Sequence, residues 1–430
     1  MKTASLTGPA GRGALLLVYL GFGVVAAAVG SEPDRRPVPH WNEFRGPEGN
    51  GHADSARLPL TWNEASKNIR WKTEIHGKGW SSPVVWGDQI WLTTAPADGK
   101  KLWALGIDRR TGEILHEILL FEIENPFHCD PYNSYATPTP TIEEGRVYVH
   151  FGSAGTACVD TATGAILWAR QDLPCNHHRG PGSSPILHKN LLILHFDGID
   201  VQYVVALDKQ TGETVWKKDR TINYRTTNGD AKKAYCTPKV IEHNGRTQLI
   251  SPGAVGTIAY DPETGEELWK VHHGGFNTAA RPLFAHGKVF ISMEGGMKLL
   301  AVRADGEGDV TDTHIEWKTG RSTPTRPSQL IVGDLFFMVS DAGVASCLDV
   351  QTGEPIWSER IGGKHSASPI YASGRIYFFN EDGGTTVIEA GREFKLLGES
   401  ELDAGCMATP AVVEDSLIIR TKTHLYCIAD

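Results

Sequence analysis

The chain has 430 residues and an acidic balance, with 42 Lys and Arg against 51 Asp and Glu and a formal net charge of −9. Its basic residues are scattered, so the sequence lacks the basic surface that nucleic-acid binding requires, and we expect no nucleic-acid partner. A chain of this length usually forms two or more domains, and propellers and barrels are the main exceptions.

Residues 1–30 have the pattern of a secretory signal. Lys2 and Arg12 precede an apolar run from Ala14 to Val29, which ends in small residues with a cleavage point after Gly30. The run is shorter than the roughly 20 apolar residues that span a bilayer, and no second hydrophobic segment follows it. We therefore predict a signal peptide over 1–30 and a periplasmic or secreted protein with no transmembrane segment after cleavage. An uncleaved anchor is the alternative.

Two motifs alternate along the remainder of the chain. The first has the form D-x-x-T-G-E-x-x-W, and its copies are VDTATGAILW (159–168), LDKQTGETVW (207–216), YDPETGEELW (260–269), LDVQTGEPIW (348–357) and, more weakly, IDRRTGEILH (107–116). The second starts at a hydroxyl residue or Arg followed by Pro, and alternating apolar residues follow. We place its eight prolines at Pro83, Pro138, Pro185, Pro238, Pro282, Pro327, Pro369 and Pro410.

Each pair of motifs predicts four short strands. The Pro opens the first strand, where its missing N–H is harmless. The T-G pair makes the tight turn from the third strand to the fourth, because Gly adopts a positive φ at no steric cost. The closing Trp (168, 216, 269, 317 and 357) can wedge between neighbouring units. A lone four-stranded sheet cannot bury both faces, so the units are expected to stack radially into an all-β, eight-bladed propeller.

The ends of the repeat predict how the ring closes. The last unit stops at YCIAD (426–430) without a fourth strand, whereas NIRWKTEI (68–75) is a fourth strand with no unit before it. The N-terminal strand should therefore complete the last blade. This gives three segments: a signal peptide over 1–30, an N-terminal lead-in over 31–67, and the propeller over 68–430.

The A-x-D-x-x-T-G-E-x-x-W repeat resembles the pyrroloquinoline quinone (PQQ)-like repeat of eight-bladed propellers. The lead-in WNEFRGPEGNG (41–51) and the stretch GEGDVTDTHIEW (306–317) strengthen a resemblance to secreted bacterial PQQ-like repeat proteins, more distantly related to the BamB-type outer-membrane assembly factor. The resemblance covers about residues 41–430 and implies the fold. It does not imply one activity, because fold alone does not fix function.

Some proteins that share this repeat are PQQ-dependent dehydrogenases. The resemblance to them implies a pair of adjacent cysteines over the quinone, with carboxylates and an Asn around Ca²⁺. The chain has no Cys-Cys pair, and no such ligand set maps onto it. We therefore expect no bound PQQ and no quinoprotein dehydrogenase activity. The sequence also lacks the G-x-S-x-G, H-E-x-x-H, Walker A and G-x-G-x-x-G motifs.

The seven cysteines fall into two groups. Cys158, Cys347 and Cys427 share one repeat position and are expected in the core, whereas Cys129, Cys175, Cys236 and Cys406 lie in loops where the pairing cannot be deduced. One acidic stretch, DGEGDVTD (305–312), offers Asp305, Glu307, Asp309 and Asp312 at spacings that could chelate Ca²⁺. A solvated acidic hairpin is the alternative.

The loops that enter the first strands hold the candidate binding residues, since such loops cross one face of a propeller near its channel. In the loop CNHHRGPGSSP (175–185), Ser184-Pro185 opens a strand, so only Asn176 to Arg179 are left as binding groups. The cluster could bind a metal through imidazoles, an anionic or carbohydrate ligand through Arg and aromatic groups, or only water. The candidates are His128, Tyr132, His177, His178, Arg179, Tyr235, His272, His273, Arg281, Arg326 and His365.

Two functions are compatible with these features. The first is a non-catalytic, monomeric binding or scaffolding protein that presents its loops to a protein or envelope partner, as the absence of catalytic motifs favours. The second is an enzyme that acts on a carbohydrate or polar metabolite in the axial funnel. The second function predicts that His177, His178, His272 and Arg281 point into one cavity.

Overall fold

The computed structural model describes residues 1, 4–8 and 38–430. The predicted signal segment over 1–30 therefore lies, apart from residues 1 and 4–8, outside the described residues. In the described part of the chain, no helix is long and apolar enough to cross a membrane. Residues 38–430 form one compact unit, so the described part of the lead-in belongs with the propeller rather than apart from it.

Three strands precede the first complete blade. They are β1 (His40–Trp41), β2 (His52–Ala53) and β3 (Ile69–Glu74). Blades one to four follow, each an antiparallel sheet of four successive strands. Their strands are β4 (Val84–Trp86), β5 (Gln89–Thr94), β6 (Lys101–Asp108) and β7 (Ile114–Glu122); β8 (Thr141–Glu143), β9 (Arg146–His150), β10 (Thr156–Asp160) and β11 (Ile166–Arg170); β12 (Ile186–His188), β13 (Leu191–Asp197), β14 (Gln202–Asp208) and β15 (Thr214–Asp219); and β16 (Lys239–His243), β17 (Arg246–Pro252), β18 (Gly256–Tyr260) and β19 (Glu267–His272).

Blades five to eight continue the pattern with small additions. Strands β20 (Gly275–Phe276) and β23 (Glu294–Gly295) pair with each other, and β25 (Gly308–Asp309) adds to β19. The blade strands are β21 (Leu283–Ala285), β22 (Lys288–Ser292), β24 (Leu299–Arg303) and β26 (Ile315–Thr319); β27 (Leu330–Val332), β28 (Leu335–Val339), β29 (Val344–Asp349) and β30 (Pro355–Arg360); β31 (Ile370–Ala372), β32 (Arg375–Phe379), β33 (Gly384–Glu389) and β34 (Leu396–Glu401); and β35 (Ala411–Val413), β36 (Ser416–Arg420) and β37 (His424–Ile428).

The architecture is the all-β, eight-bladed propeller that the repeat predicts. Strand β3 pairs antiparallel with β37, from Ile69 opposite Ile428 to Glu74 opposite His424, and is the fourth strand of blade eight. One short 3₁₀ helix, Gly229–Ala231, interrupts the loop into blade four. The apolar core is divided into clusters that lie between neighbouring blades, such as the one that joins Phe196 and Tyr203 of blade three to Tyr148 and Cys158 of blade two.

Two of the predicted prolines are wrong. In blade two the first strand starts at Thr141, directly after Pro140, so Pro138 lies one Thr-Pro pair too early. In blade six the first strand starts at Leu330, and Gln329 occupies the place of the proline, two residues after Pro327. The sequence TPTP (137–140) contains two Thr-Pro pairs, and either proline could precede the first strand. Only the strand pairing shows that Pro140 does so.

The closing Trp packs on the T-G turn of the next blade in several blades, as Trp168 and Trp317 show. A Cβ placed on Gly212 would lie 2.7 Å from the Trp168 ring, and one on Gly353 would lie 2.6 Å from the Trp317 ring. Each of these indoles also donates its N–H to a backbone carbonyl of the same turn, from Trp168 Nε1 to Lys209 O at 3.0 Å and from Trp317 Nε1 to Val350 O at 3.2 Å. The turn therefore needs glycine for two reasons: the backbone has a positive φ there, and the indole of the neighbouring blade occupies the space of a Cβ.

The lead-in fills the contact that blade seven cannot make. The fourth strand of blade seven carries Gly398 at the position where other blades have Trp. A Cβ on Gly398 would lie 2.5 Å from the carbonyl oxygen of Leu60 in the lead-in. Leu58 and Trp62 are buried in the cluster shared by blades seven, eight and one. Tyr377 Oη donates to Leu58 O at 3.1 Å, so the lead-in is fixed to blade seven.

Residues 40–53, which we call the channel segment, run along the inner edges of the blades. Strand β1 pairs antiparallel with β4 of blade one, and β2 pairs parallel with β31 of blade seven. Between these strands, Asn42 O accepts the N–H of Ile142 in blade two at 2.8 Å. The segment pairs with the last residues of β4 and β31. It therefore closes the end of the channel that lies opposite the loops leading into the first strands.

All seven cysteines are free thiols. Cys158, Cys347 and Cys427 are buried in strands as expected, and the loop residues Cys175, Cys236 and Cys406 are buried too. Burial raises the pKa of the half-buried Cys129 thiol to about 11, so this thiol is a poor nucleophile.

Replacing Gly212 by Ala tests the contact between blades. Gly212 and Gly145 have the same φ of +77°, but a Cβ on Gly145 meets nothing within 4 Å. Both substitutions carry the cost of a positive φ, and only Gly212→Ala also displaces Trp168. We expect Gly212→Ala to destabilise the fold by about 1–3 kcal/mol more than Gly145→Ala. Equal shifts in the denaturant or thermal midpoint of the two variants would contradict this role of the turn glycine.

Candidate functional site

A funnel lies on the propeller axis at the face that we call the upper face. This face carries the loops into the first strands and also the turns between the second and third strands, because antiparallel strands alternate in direction. The funnel has a volume of about 600 Å³. Its lining includes Phe44, Trp80, Ser82, Asp130, Tyr132, Asn133, Thr137, Thr139, Arg179, Gly182, Ser184, Tyr235, Thr237, Asn277, Ala279, Glu294, Thr325, Arg326, Asp341, Ser366, Ser368, Met407 and Thr409.

A belt of hydroxyl groups surrounds the lower part of the funnel. At the residue before the first strand's Pro or Gln, a Ser or Thr oxygen accepts the backbone N–H of the equivalent residue in the previous blade. The bonds run from Ser82 N to Thr139 Oγ1 (2.9 Å), Thr139 N to Ser184 Oγ (2.9 Å), Ser184 N to Thr237 Oγ1 (3.0 Å), Arg281 N to Ser328 Oγ (2.9 Å), Ser328 N to Ser368 Oγ (3.0 Å) and Ser368 N to Thr409 Oγ1 (2.9 Å). The belt ties neighbouring blades together at the axis.

Arg281 takes the place of the hydroxyl in blade five. Its side chain is buried, and it turns to the channel segment instead of the funnel. Nη1 donates to Phe44 O at 2.5 Å, Nη2 lies 2.9 Å from Glu43 Oε1, and Nε donates to Pro238 O at 3.2 Å. Because Phe44 lines the funnel, these bonds fix its floor.

One wall of the funnel is a network around Arg326. The guanidinium lies 4.6 Å from the Tyr132 ring centre, and its Nε donates to Asp341 Oδ1 at 2.7 Å. The Tyr132 hydroxyl donates to Glu381, which also accepts from Ser366 Oγ at 3.0 Å. Burial and the bond to Glu381 raise the pKa of Tyr132 to about 12, so the phenol stays protonated and donates.

The opposite wall carries a more accessible cation. Arg179 is exposed at the funnel, and its backbone carbonyl accepts from Asn133 Nδ2 at 2.9 Å. Among residues 38–430, no carboxylate lies within ion-pair distance of its guanidinium. Beside it, Tyr235 Oη donates to His177 O at 3.2 Å, and burial raises the pKa of the Tyr235 phenol. Arg179 is therefore the cation of this wall that is available to a ligand.

The structure brings four of the predicted binding residues to the funnel: Tyr132, Arg179, Tyr235 and Arg326. The remaining seven predicted residues do not line it. Of these, His128 is exposed on its loop, and Arg281 bonds to the channel segment as described.

The other histidines are held elsewhere. His177 is buried, and its Nε2 accepts the N–H of Ser153 at 3.2 Å; burial lowers its pKa to about 4. His178 lies 3.5 Å from Asp230, and His272 lies 3.6 Å from Asp309. His273 is buried with its pKa lowered to about 3 by burial, and burial also lowers the pKa of His365, which contacts Gly362 O at 3.0 Å.

The four residues that the catalytic alternative requires are thus not brought together. His177, His178, His272 and Arg281 each have a separate partner, and none of them lines the funnel. In the loop CNHHRGPGSSP, Ser184 joins the hydroxyl belt and only Arg179 of the candidates faces the funnel.

The acidic stretch 305–312 does not gather its carboxylates. Asp305 lies 3.3 Å from Arg303 and 3.5 Å from His314, and Asp309 accepts from the Thr311 hydroxyl at 2.6 Å. Glu307 and Asp312 are both exposed. Across residues 38–430, no group of three or more His, Cys, Asp or Glu is placed to hold a metal ion.

The funnel residues also do not fit the PQQ and Ca²⁺ set of the quinoprotein dehydrogenases. The funnel carboxylates are already engaged, because Asp341 accepts from Arg326 and Thr325, and Glu294 accepts from Asn277 Nδ2 at 2.8 Å. Cys129, Cys236 and Cys406 each adjoin a funnel residue in the chain, and none of them has a cysteine next to it. We therefore derive no chemistry through that cofactor.

Sequence reasoning missed the acidic residues of the funnel. Glu294 and Asp341 sit in the turns between the second and third strands, and Glu381 follows the second strand of blade seven. These turns reach the same face as the loops into the first strands. The pattern of an acid followed by Gly after an apolar strand, as in MEGG, SDAG and NEDGG, was the available signal.

Comparison with known proteins gives a consistent result. A family model described as outer membrane protein assembly factor BamB matches residues 121–248 and 202–430. The BamB of Moranella endobia is 28% identical over 202 residues, 43% of this chain and 50% of that protein. A quinoprotein ethanol dehydrogenase of Pseudomonas putida is 30% identical over 147 residues, 30% of this chain and 21% of that protein. The chain spans half or less of the length of these curated relatives.

A solved structure extends the likeness to the whole fold. BamB from Moraxella catarrhalis matches with a TM-score of 0.59 at 13% identity, covering 84% of this chain and 97% of that one. At this identity the match is one of fold alone.

The buried histidines predict how stability depends on pH. Burial lowers the pKa of His177 to about 4 and those of His150 and His273 to about 3, so between those values and the ordinary 6.5 the unfolded chain binds more protons than the folded chain. Stability should therefore fall as the pH falls from 6.5 toward 4. The His177→Gln variant is expected to take up about one proton fewer on unfolding in this pH range. The slope of its unfolding free energy against pH should therefore be lower by about 1.4 kcal/mol per pH unit.

Denaturation series at several pH values measure this slope. Tyr235→Phe is the control, because it removes the bond to His177 O without changing a titrating imidazole. An unchanged slope in His177→Gln would contradict the assignment.

Proposed function

The chain belongs to the family described as outer membrane protein assembly factor BamB, and we propose that it is a non-catalytic binding or scaffolding propeller of the bacterial envelope that works as a monomer. Its funnel would receive part of a protein partner. The signal pattern predicted over residues 1–30 supports export. The similarity to the outer membrane protein assembly factor BamB of Moranella endobia supports a place in envelope assembly.

The state of the funnel carboxylates carries this proposal. A general acid or base must be free to reach a reacting atom. Asp341 accepts bonds from Arg326 and Thr325, and Glu381 accepts from Tyr132 and Ser366. Glu294 accepts from Asn277 and Asp130 from the Tyr132 N–H. The carboxylates thus hold the walls in shape, which suits recognition better than proton transfer.

The lining has the residue types that dominate protein interfaces. Aromatic and arginine side chains in a desolvated depression supply most of the binding energy in such interfaces. Here Trp80 and Tyr132 stand at the funnel, and the Trp80 indole donates to Tyr132 O at 3.1 Å, so both are positioned in advance. Arg179 provides positive charge at the funnel, whereas Arg326 on the opposite wall is already paired with Asp341 at 2.7 Å. A carboxylate-bearing segment of a partner would complement Arg179.

The closed floor limits what the funnel can do. Phe44 and the channel segment block the lower end, so a partner can only enter and leave from the upper face. A loop or side chain inserted from above satisfies this geometry.

Site-specific crosslinking tests the proposal. A photo-reactive phenylalanine placed at Met407, which lines the funnel, should form one discrete adduct with an envelope protein in cells. The same group at Leu115, which is 46% exposed on the outer strand of blade one, should not. A turnover assay of the purified protein accompanies this experiment. Saturable turnover that disappears in Arg179→Ala would contradict a non-catalytic role.

The partner so identified allows a direct affinity measurement. Arg179→Ala should weaken its binding by about tenfold or more, since a central interface Arg commonly contributes at least 1.4 kcal/mol. The unfolding midpoint should not change, because Arg179 is exposed. Arg110→Ala, at a side chain that is 71% exposed on a T-G turn of the lower face, is the matched control and should bind normally. Equal affinity of the two variants would place the interface outside the funnel.

A further inference from the structure

Arg45, in the lead-in motif WNEFRGPEGNG, is buried without a counter-charge. Its side chain has no exposed surface. Only Nη2 is used, donating to Asn50 O at 2.9 Å and to Gln329 O at 2.5 Å. Nε and Nη1 have no hydrogen-bond partner among the described residues. Three N–H groups of a buried guanidinium thus remain available.

Gln329 supplies further unsatisfied groups beside Arg45. It is fully buried in blade six, where most other blades have Pro before the first strand. Both its Nε2 and its Oε1 lack a partner within the described chain. Buried side-chain amides are nearly always bonded, so an amide left free next to an unpaired Arg needs an explanation.

The surrounding charges do not compensate Arg45. The carboxylate of Glu43, two residues before Arg45, is engaged by Arg281 at 2.9 Å. Burial and the positive charge of Arg281 lower the pKa of Arg45 to about 9. The neighbouring charges are those of Arg45, Arg281 and Lys239 against the carboxylates of Glu43 and Glu48, which leaves an excess of one positive charge. An uncompensated buried charge is strongly unfavourable, whereas a bound anion removes both the charge and the unsatisfied donors.

We propose that Arg45 and Gln329 bind a small monovalent inorganic anion of chloride size between the channel segment and blade six. The guanidinium Nε and Nη1 and the amide Nε2 supply the donors. Neither Arg45 nor Gln329 lines the funnel, and neither has exposed surface, which excludes a larger organic anion. The site is therefore distinct from the funnel and does not depend on the proposed function.

The anion would stabilise the attachment of the channel segment. Gly49 and Gly51 bring the segment close enough for this, since a Cβ on Gly49 would overlap the Arg281 guanidinium and one on Gly51 would lie 2.8 Å from Arg45 Nη2. Arg45 Nη2 already donates to one backbone carbonyl of blade six, Gln329 O, and the anion would add a second bridge beside it.

Thermal unfolding in chloride tests this inference. At constant ionic strength, with gluconate as the balancing anion, the midpoint of the unmodified protein should rise by several degrees between about 1 and about 100 mM chloride. Gln329→Glu should abolish this dependence, because a fixed carboxylate takes the anion's place. Gln248→Glu is the matched control, since Gln248 is equally buried but both its amide atoms are bonded. It should lower the midpoint and keep the chloride dependence.

Crystals of the unmodified protein grown in bromide give a second readout that needs no variant. An anomalous peak within hydrogen-bond distance of Arg45 Nε or Nη1 would support the site. A midpoint independent of chloride, a Gln329→Glu variant that still responds to chloride, or water without an anomalous signal next to Arg45 would each overturn it.

Discussion

The packing of an indole on a neighbouring turn glycine is the contact on which the ring depends. It relates residues in consecutive blades, and it recurs at Trp71 on Gly112, Trp168 on Gly212, Trp216 on Gly265 and Trp317 on Gly353. A glycine is needed because any Cβ would overlap the ring, and the indole N–H bonds to a carbonyl of the same turn. In four of the eight blades this contact therefore specifies where the next blade sits. Trp269 instead donates to Gln248 Oε1 of its own blade at 2.6 Å, and Trp357 donates to Gly391 O at 3.1 Å.

The exceptions to this contact explain the lead-in. Blade one ends in His116, which packs on Gly164 in place of an indole, and blade seven has Gly398 where Trp would stand. The gap beside blade seven is filled by Leu58 and Trp62, whose cluster extends to blades eight and one. The N-terminal residues thus complete the ring in two places. Leu58 and Trp62 fill the position that a closing Trp of blade seven would occupy, and β3 is the fourth strand of blade eight.

The sequence predicts the fold well because the determining contacts are local to the repeat. It predicts the site less well because the side chains there bond to partners that are far away in the sequence. Arg281 aligns with the hydroxyl belt, yet its side chain bonds to Glu43, which no periodicity relates to it. His177 and His273 lie in the expected loops but are needed in the packing between strands. Tyr132 and Arg326 reach the funnel because Glu381 and Asp341, in turns of another kind, hold them there.

The funnel and the ring closure are parts of one structure. Phe44 lines the funnel, and its carbonyl accepts from Arg281, which stands in the hydroxyl belt. The same stretch carries Arg45 to blade six and is anchored by β1 and β2 to blades one and seven. A segment fixed at so many inner edges cannot move without loosening several blades. The floor is therefore rigid, and the bonds from Arg326 to Asp341 and from Tyr132 to Glu381 hold the wall above it in shape.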